Sequence, residues 1–144
     1  MDSRELQPAI GADRLRRPLT FTLSSMSADQ IAEIAPLVRE VLGAPEGQAL
    51  CGTIEVEGVK DAWAQVTADA INVAYPSDQD PARRLSSLVS SHPCAGVADW
   101  ESMKFSTFSY TPDRPQVVAK FIDSLLSELF GLQDYSVNIS IFEL

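Results

Sequence analysis

The stretch that decides the fold class runs from residue 104 to residue 141 and reads KFSTFSYTPDRPQVVAKFIDSLLSELFGLQDYSVNISI. In residues 104–110, successive side chains alternate between two faces that both carry aromatic groups, as they can along a β-strand. Residues 117–130 then repeat apolar side chains at helical spacing, and residues 135–141 alternate again between an apolar and a polar face. The stretch therefore predicts a strand, a helix and a second strand in succession.

The helix in this stretch has clear start and stop signals. Asp113 can cap its first turn, Pro115 suits the first helical positions, and Gly131 can end it. Its wide apolar stripe must lie against other apolar groups. A right-handed crossover would place both flanking strands in one sheet with the helix across it.

A second long helix is predicted nearer the start of the chain. Ser27 and Gln30 form a capping box, apolar residues follow at helical spacing, and Gly43 ends the pattern. Pro36 lies inside this pattern and cannot donate a backbone hydrogen bond. We therefore expect a kink or a break near residues 32–35.

Three segments between the two helices have strand character, namely residues 50–57, 62–67 and 70–75. The last two also fit an alanine-rich helix. Their β-branched residues favour a hairpin that turns at Ala68 and Asp69.

Two loops flank a short helix. Residues 75–81 contain two prolines and several polar residues, which is typical of a loop. A short helix is predicted over residues 81–90, with Asp80 as its cap and Pro81 as its first residue. Residues 90–99 are predicted to form the second loop.

The length of 144 residues fits one domain with one core. We predict a loosely held arm at residues 1–18 and a single α/β or α+β domain at residues 19–144. The domain should contain one mixed sheet of about five or six strands, two main helices and one short helix, and should end in the strand-helix-strand unit.

The composition is acidic. Eleven Lys and Arg face twenty Asp and Glu, which gives a formal charge of -9. This balance disfavours direct binding to nucleic acid or to anionic membranes, because phosphate contacts need a basic face. The same charge favours encounter with a basic protein, although solubility alone is also a sufficient reason for an acidic surface.

The cysteines and the apolar runs bear on localisation. Cys51 and Cys94 lie far apart and belong to no metal-binding motif, so we expect two free thiols in a reducing cytoplasm. No secretory leader opens the chain, and no apolar run approaches the length of a membrane span. A cytoplasmic protein is the expectation.

No catalytic constellation is visible in the sequence. The single histidine, His92, is two residues from Cys94, and an extended chain points such side chains apart. Asp78 and Asp80 have the spacing of a cation-binding pair, but two carboxylates are too few ligands. Phosphate-binding glycine motifs are also missing. We expect no catalytic residues, no metal and no cofactor.

The tryptophans differ in their surroundings. Trp63 lies in a strand-like segment and is predicted to pack in the core. Trp100 stands between Asp99 and Glu101, where it could anchor a basic partner or could tuck under its own loop.

The predicted partner-binding residues are Asp78, Asp80, Asp99, Trp100 and Glu101, on the two loops around the short helix. In size, acidity and compact build the chain resembles bacterial immunity proteins, in type and by no particular motif. We therefore expect a non-enzymatic inhibitor of a basic toxin, effector or nucleic-acid- or nucleotide-handling enzyme. One alternative is an acidic secretion chaperone, which would form a homodimer and expose an apolar groove. A small enzyme or ligand-binding protein would instead show a deep pocket with a titratable cluster.

Overall fold

The computed structural model describes residues 19–21 and 27–144, with side chains from residue 30 onward. The predicted arm at residues 1–18 lies outside the described residues, and so does the side chain of the predicted cap, Ser27. In chain order the elements are β1 (Leu19–Phe21), α1 (Ser27–Leu42), β2 (Leu50–Val56), β3 (Trp63–Val66), β4 (Ala70–Ala74), α2 (Pro81–Arg84), α3 (Ser86–Val89), β5 (Cys94–Glu101), β6 (Phe105–Tyr110), α4 (Pro115–Phe130) and β7 (Val137–Glu143).

The predicted fold class is confirmed. One sheet is covered by two long helices, and the chain ends in a strand, a helix and a strand. The sheet has seven strands in the order β1-β7-β2-β3-β4-β6-β5, and every described pairing is antiparallel. The predicted number of about five or six strands is close to this count, but the expected mixture of strand directions is not observed. Strands β6 and β7 do run parallel, but β4, β3 and β2 lie between them, so the crossover joins no parallel neighbours.

All the described helices cover the same face of the sheet. Side chains on this face alternate with those on the other, so that Ser106, Phe108 and Tyr110 of β6 are buried while the residues between them are half-exposed. The buried residues of α1 and α4 join those of the strands in one apolar core. The opposite face, here called the open face, is covered by no described helix.

The packing of α1 on β2 needs a glycine. A Cβ atom at Gly52 would lie 2.7 Å from Cγ of Leu37, which is inside van der Waals contact. The absence of a side chain on Gly52 therefore lets the helix approach the sheet closely. Helix α1 continues without a break across Pro36, so the expected interruption near residues 32–35 is not observed.

A buried polar chain joins α1, α4 and the segment just before β7. Gln30 donates from Nε2 to the carbonyl of Tyr135 at 3.1 Å, and the Tyr135 hydroxyl donates to Oδ1 of Asp123 at 2.5 Å. All three residues are buried. Burial and the neighbouring carboxylate raise the pKa of Tyr135, so its hydroxyl remains a donor over the whole neutral range.

Several local predictions are confirmed. Strands β3 and β4 form the predicted hairpin across residues 67–69. Asp80 caps α2 by accepting the backbone N–H of Ala82 at 2.9 Å, and Pro81 is its first residue. Helix α4 ends at Gly131 with a φ of 64°, the left-handed conformation that favours glycine.

Other local predictions were wrong. The predicted short helix over residues 81–90 is divided into α2 and α3 at the buried residue Leu85. Asp113 does not occupy the cap position of α4, which belongs to Arg114. Its carboxylate instead accepts the backbone N–H of Arg114 and pairs with Nε2 of His92. The side chain of Asp113 thereby joins the loop before β5 to the loop before α4.

The largest local correction concerns residues 90–99. Most of this predicted loop belongs to the eight-residue strand β5, which lies at the edge of the sheet and pairs with β6. The pairing shifts register after Cys94 and again after Val97. Such bulges disturb the period of two by which a strand is recognised in sequence, and Gly96 adds a φ of 134° that favours glycine.

Candidate functional site

Acidic side chains collect at one end of the sheet, where β2, β4 and β5 finish and β3 and β6 begin. This region, called the acidic end, is formed by these strand ends and the turns that join them. Its acidic residues are Glu55, Glu57, Asp61, Asp78, Asp80, Asp99 and Glu101. The described strands contain no lysine or arginine, and the turns of this region add the two lysines Lys60 and Lys104 to its seven acids. The structure therefore gathers negative charge from separate parts of the sequence.

The structure brings together the two predicted acidic segments. The backbone N–H of Met103 donates to the carbonyl of Ser77 at 2.9 Å, and that of Tyr75 donates to the carbonyl of Lys104 at 3.1 Å. These bonds fix the turn between β5 and β6 beside the loop that follows β4. Asp78 and Asp80 on the loop consequently lie at the same end of the sheet as the last residues of β5.

Strand geometry nevertheless separates Trp100 from its neighbours in sequence. Trp100 pairs with the buried Ser106, so it lies on the helix-covered side of the sheet. There its ring meets that of Tyr75 edge to face, with centroids 6.0 Å apart and planes at 84°. Asp99 and Glu101 point to the open face. Of the two roles considered for Trp100, its packing matches the internal one.

The acidic side chains at this end differ in whether they already have hydrogen-bond or ion-pair partners within the protein. Oδ1 of Asp99 accepts the N–H of the next residue at 2.9 Å, and Asp80 caps α2. Glu101 pairs with Lys104 at 2.8 Å, and this hydrogen bond raises the pKa of the lysine. Glu55 is exposed and is remote from this lysine in the sheet order.

The open face carries a row of cross-strand neighbours at this end. Glu55 of β2 lies opposite Trp63 of β3, and Phe105 of β6 lies opposite both Ala74 of β4 and Glu101 of β5. The register of β3 and β4 places Trp63 beside Ala74. These residues form an acidic-aromatic row in which two half-exposed rings flank a small residue and a carboxylate stands at each end.

Trp63 is thus on the open face, and its predicted position in the core was wrong. It belongs neither to the buried core nor to the half-buried residues that pack against that core. Sequence reasoning also overlooked Phe105. The signal for both was alternation, since Trp63 shares its face with Gln65, and Phe105 shares its face with Thr107.

The next row on the open face is polar. It consists of Asp99, Thr107, Asn72, Gln65, Thr53 and Ser140 on consecutive strands. Thr107 donates from Oγ1 to Oδ1 of Asn72 at 2.9 Å. The open face as a whole therefore combines carboxylates, amides and hydroxyls with a small aromatic centre.

Met103 is a second apolar feature that the sequence did not reveal as a site residue. It stands at the tip of the turn between β5 and β6 with 63% of its surface exposed. Its φ of 62° is unusual for a residue with a side chain. Glu101 and Lys104 flank the turn, so an exposed apolar side chain lies among charges.

The groups considered for chemistry remain apart. His92 pairs with Asp113, whereas the Cys94 thiol faces the carbonyl of Gly96. Burial raises the pKa of the Cys94 thiol, which keeps it protonated and weakly nucleophilic at neutral pH. Within the described part of the chain, no group of three metal-binding side chains is close enough to hold an ion.

None of the helices described here is both long and apolar enough to cross a membrane. Comparisons with protein-family models, with curated proteins and with solved structures find no match to this chain. The fold and the site define a class in general terms, an α/β fold with one helix-covered and one open sheet face whose acidic end is exposed. Its function has to be argued from its own residues.

Proposed function

We propose that this protein is a non-enzymatic binding protein that neutralises a basic protein by covering it with the acidic end of the sheet. The partner in this proposal is a bacterial toxin or another nucleic-acid- or nucleotide-handling enzyme, met in the cytoplasm. The observation that carries the proposal is the open face itself. Its strands supply carboxylates and half-exposed aromatic rings but no basic side chain.

The charge distribution suits recognition of a basic active site. Enzymes that handle nucleic acid bind phosphates with lysine and arginine, and an acidic surface competes for the same groups. Long-range attraction would speed the encounter and would weaken as salt rises, since screening acts over about 10 Å at 0.1 M salt. The exposed Met103 and the aromatic row add apolar contact area, which holds a complex together after the encounter.

The same surface opposes the dimeric chaperone. A second copy docking through the open face would bring one acidic surface against another, because the strands of this face carry no basic side chain to pair with Glu55, Asp99 and Glu101. The row from Asp99 to Ser140 on this face is also polar throughout. These features support the inhibitor over a chaperone that dimerises by this face.

For the alternative of a small enzyme, the candidate pocket is a groove between α3 and α4. The groove has a volume of about 400 Å³, and its titratable residues are Arg84, Asp123 and Glu128. Arg84 and Glu128 approach to 3.5 Å, and Asp123 accepts the Tyr135 hydroxyl. Arg84, Asp123 and Glu128 are thus engaged within the protein, whereas Glu55 at the acidic end is exposed.

The test is a pair of variants with the same net charge. The site variant combines Glu55→Gln, Asp99→Asn and Glu101→Gln, all at exposed positions on the open face. The tagged protein is first used as bait in lysate of its own source at low and at moderate salt, and a basic protein that co-purifies in equal amount is then isolated. We expect the site variant to bind this protein at least about tenfold more weakly and to show a flatter dependence on salt.

The control variant combines Glu46→Gln, Asp69→Asn and Glu128→Gln, three exposed positions away from the acidic end. It should keep most of the affinity, because only distant charge is lost. Equal weakening in both variants would show that net charge alone matters and would reject the acidic end as the binding surface. Recovery of only a homodimer, or of several unfolded secreted proteins, would favour the chaperone.

A further inference from the structure

The acidic-aromatic row has the composition of a site for one particular side chain. Trp63 and Phe105 are each one strand away from Ala74, so their Cα atoms are about 10 Å apart across the sheet. Ala74 itself is buried, with 5% of its surface exposed, so the two rings close over it and form one continuous aromatic surface. Flat cationic groups stack on such rings, and tryptophan is the strongest partner for this contact.

Carboxylates stand on the outer side of each ring. Glu55 neighbours Trp63, and Glu101 neighbours Phe105. Cross-strand neighbours have Cβ atoms about 5 Å apart, so a cation on either ring lies within reach of a carboxylate. Since Glu101 already binds Lys104 at 2.8 Å, the stronger half of the row is the pair formed by Trp63 and Glu55.

We propose that the acidic-aromatic row binds an arginine side chain of the basic partner, with the guanidinium stacked on Trp63 and paired with Glu55. Phe105 extends the aromatic surface beside Trp63. Arginine fits better than lysine, because a planar guanidinium can stack on a ring and donate to a carboxylate at the same time. This inference rests on the proposed function, since it names the group by which the partner is held.

The probe is a set of three capped peptides of equal length that carry arginine, lysine or citrulline at the same positions. The chain has two tryptophans, so its NMR spectrum contains two indole N–H signals. The signal that is missing from the spectrum of the Trp100→Phe variant belongs to Trp100. We expect the arginine peptide to shift the Trp63 signal in a saturable manner. Its affinity should exceed that of the lysine peptide about threefold and that of the neutral citrulline peptide about tenfold.

The variants Trp63→Leu and Phe105→Leu keep the charge of the surface and remove the rings. Each variant should bind the arginine peptide at least about threefold more weakly, while Trp100→Phe should bind it with unchanged affinity. The melting temperature of each variant shows that it is folded. Phe105→Leu keeps Trp63 as the reporter, so the inference remains testable if Trp63→Leu folds poorly.

The inference fails if arginine and lysine peptides bind equally and Phe105→Leu has no effect, or if only the Trp100 signal moves. That outcome leaves the proposed function intact, because it is tested separately, by the effect of charge-removing variants at the acidic end on binding of the natural partner. Conversely, if the arginine peptide binds as expected while those variants leave the natural partner's affinity unchanged, the proposed function fails and the row remains an arginine-binding site.

Discussion

The two tryptophans are half-buried on opposite faces of one sheet, and truncating each to alanine should have opposite consequences for stability and binding. Trp100 packs against the apolar core and meets Tyr75 edge to face at 6.0 Å. Trp63 lies on the open face and contributes nothing to that core. The same substitution therefore separates a residue that supports the acidic end from one that is available to a partner.

The magnitudes follow from these surroundings. Complete burial makes Trp→Ala cost about 3–5 kcal/mol, and an edge-to-face aromatic pair contributes about 0.5–1.5 kcal/mol of stability. Since Trp100 is only half-buried, we expect Trp100→Ala to lower the free energy of unfolding by about 2–3 kcal/mol. Cross-strand contacts on an exposed face contribute less, so Trp63→Ala should cost about 1 kcal/mol.

Urea denaturation followed by circular dichroism measures this difference. With a slope of about 1–3 kcal/mol per molar urea, the midpoint of Trp100→Ala should fall below that of Trp63→Ala by about 0.3–2 M. Binding of the arginine peptide should change in the opposite sense, with a loss only in Trp63→Ala. If Trp63→Ala is the more destabilising variant, the assignment of the two faces is wrong.

Three further outcomes are expected. Gly52→Ala should lower the free energy of unfolding by about 1–3 kcal/mol in urea titrations, because its Cβ would meet Leu37. The double variant with Leu37→Ala should lose less stability than the sum of the losses in the two single variants. The backbone N–H of Arg114, and to a smaller extent His92, hold the pKa of Asp113 below its ordinary value. The ionised Asp113 carboxylate therefore stabilises the fold above the pKa that it has in the unfolded chain. This stabilisation is lost as the pH falls through the lower pKa of the folded state. Acid unfolding of His92→Ala should therefore depend less steeply on pH in that range, and an unchanged profile would contradict the pairing. Burial raises the pKa of Cys51 to about 11, so its thiol should react with a maleimide only after unfolding, as mass spectrometry of the native and the urea-treated protein can check.

Much of the local structure could be predicted from sequence, since its causes are local. The cap of α2 by Asp80 and the end of α4 at Gly131 follow from residues next to each other in the chain. The alternating pattern of β7 likewise reveals which of its side chains face the core. Asp113 is the exception, because Arg114 takes the cap position and the Asp113 carboxylate binds the Arg114 N–H and His92 instead.

The candidate site is different because it depends on pairing between distant segments. Sequence marked the acidic residues at positions 78–80 and 99–101 as a binding surface, but it assigned the second group to a loop and left open whether Trp100 was exposed or internal. The pairing of β5 with β6 turns Trp100 inward and its two acidic neighbours outward. A shift of one residue would have reversed both, and no local signal fixes the register of a bulged edge strand.

By itself, the sequence determined the class of the fold, the positions of the long helices and the acidity of the surface. Only the tertiary structure decided that β4, β3 and β2 separate β6 from β7, and that Glu55, Trp63, Phe105 and Glu101 share one row. The physical reason is range. Helix ends and side-chain alternation depend on neighbours along the chain, whereas strand order and register depend on which distant apolar faces are buried together.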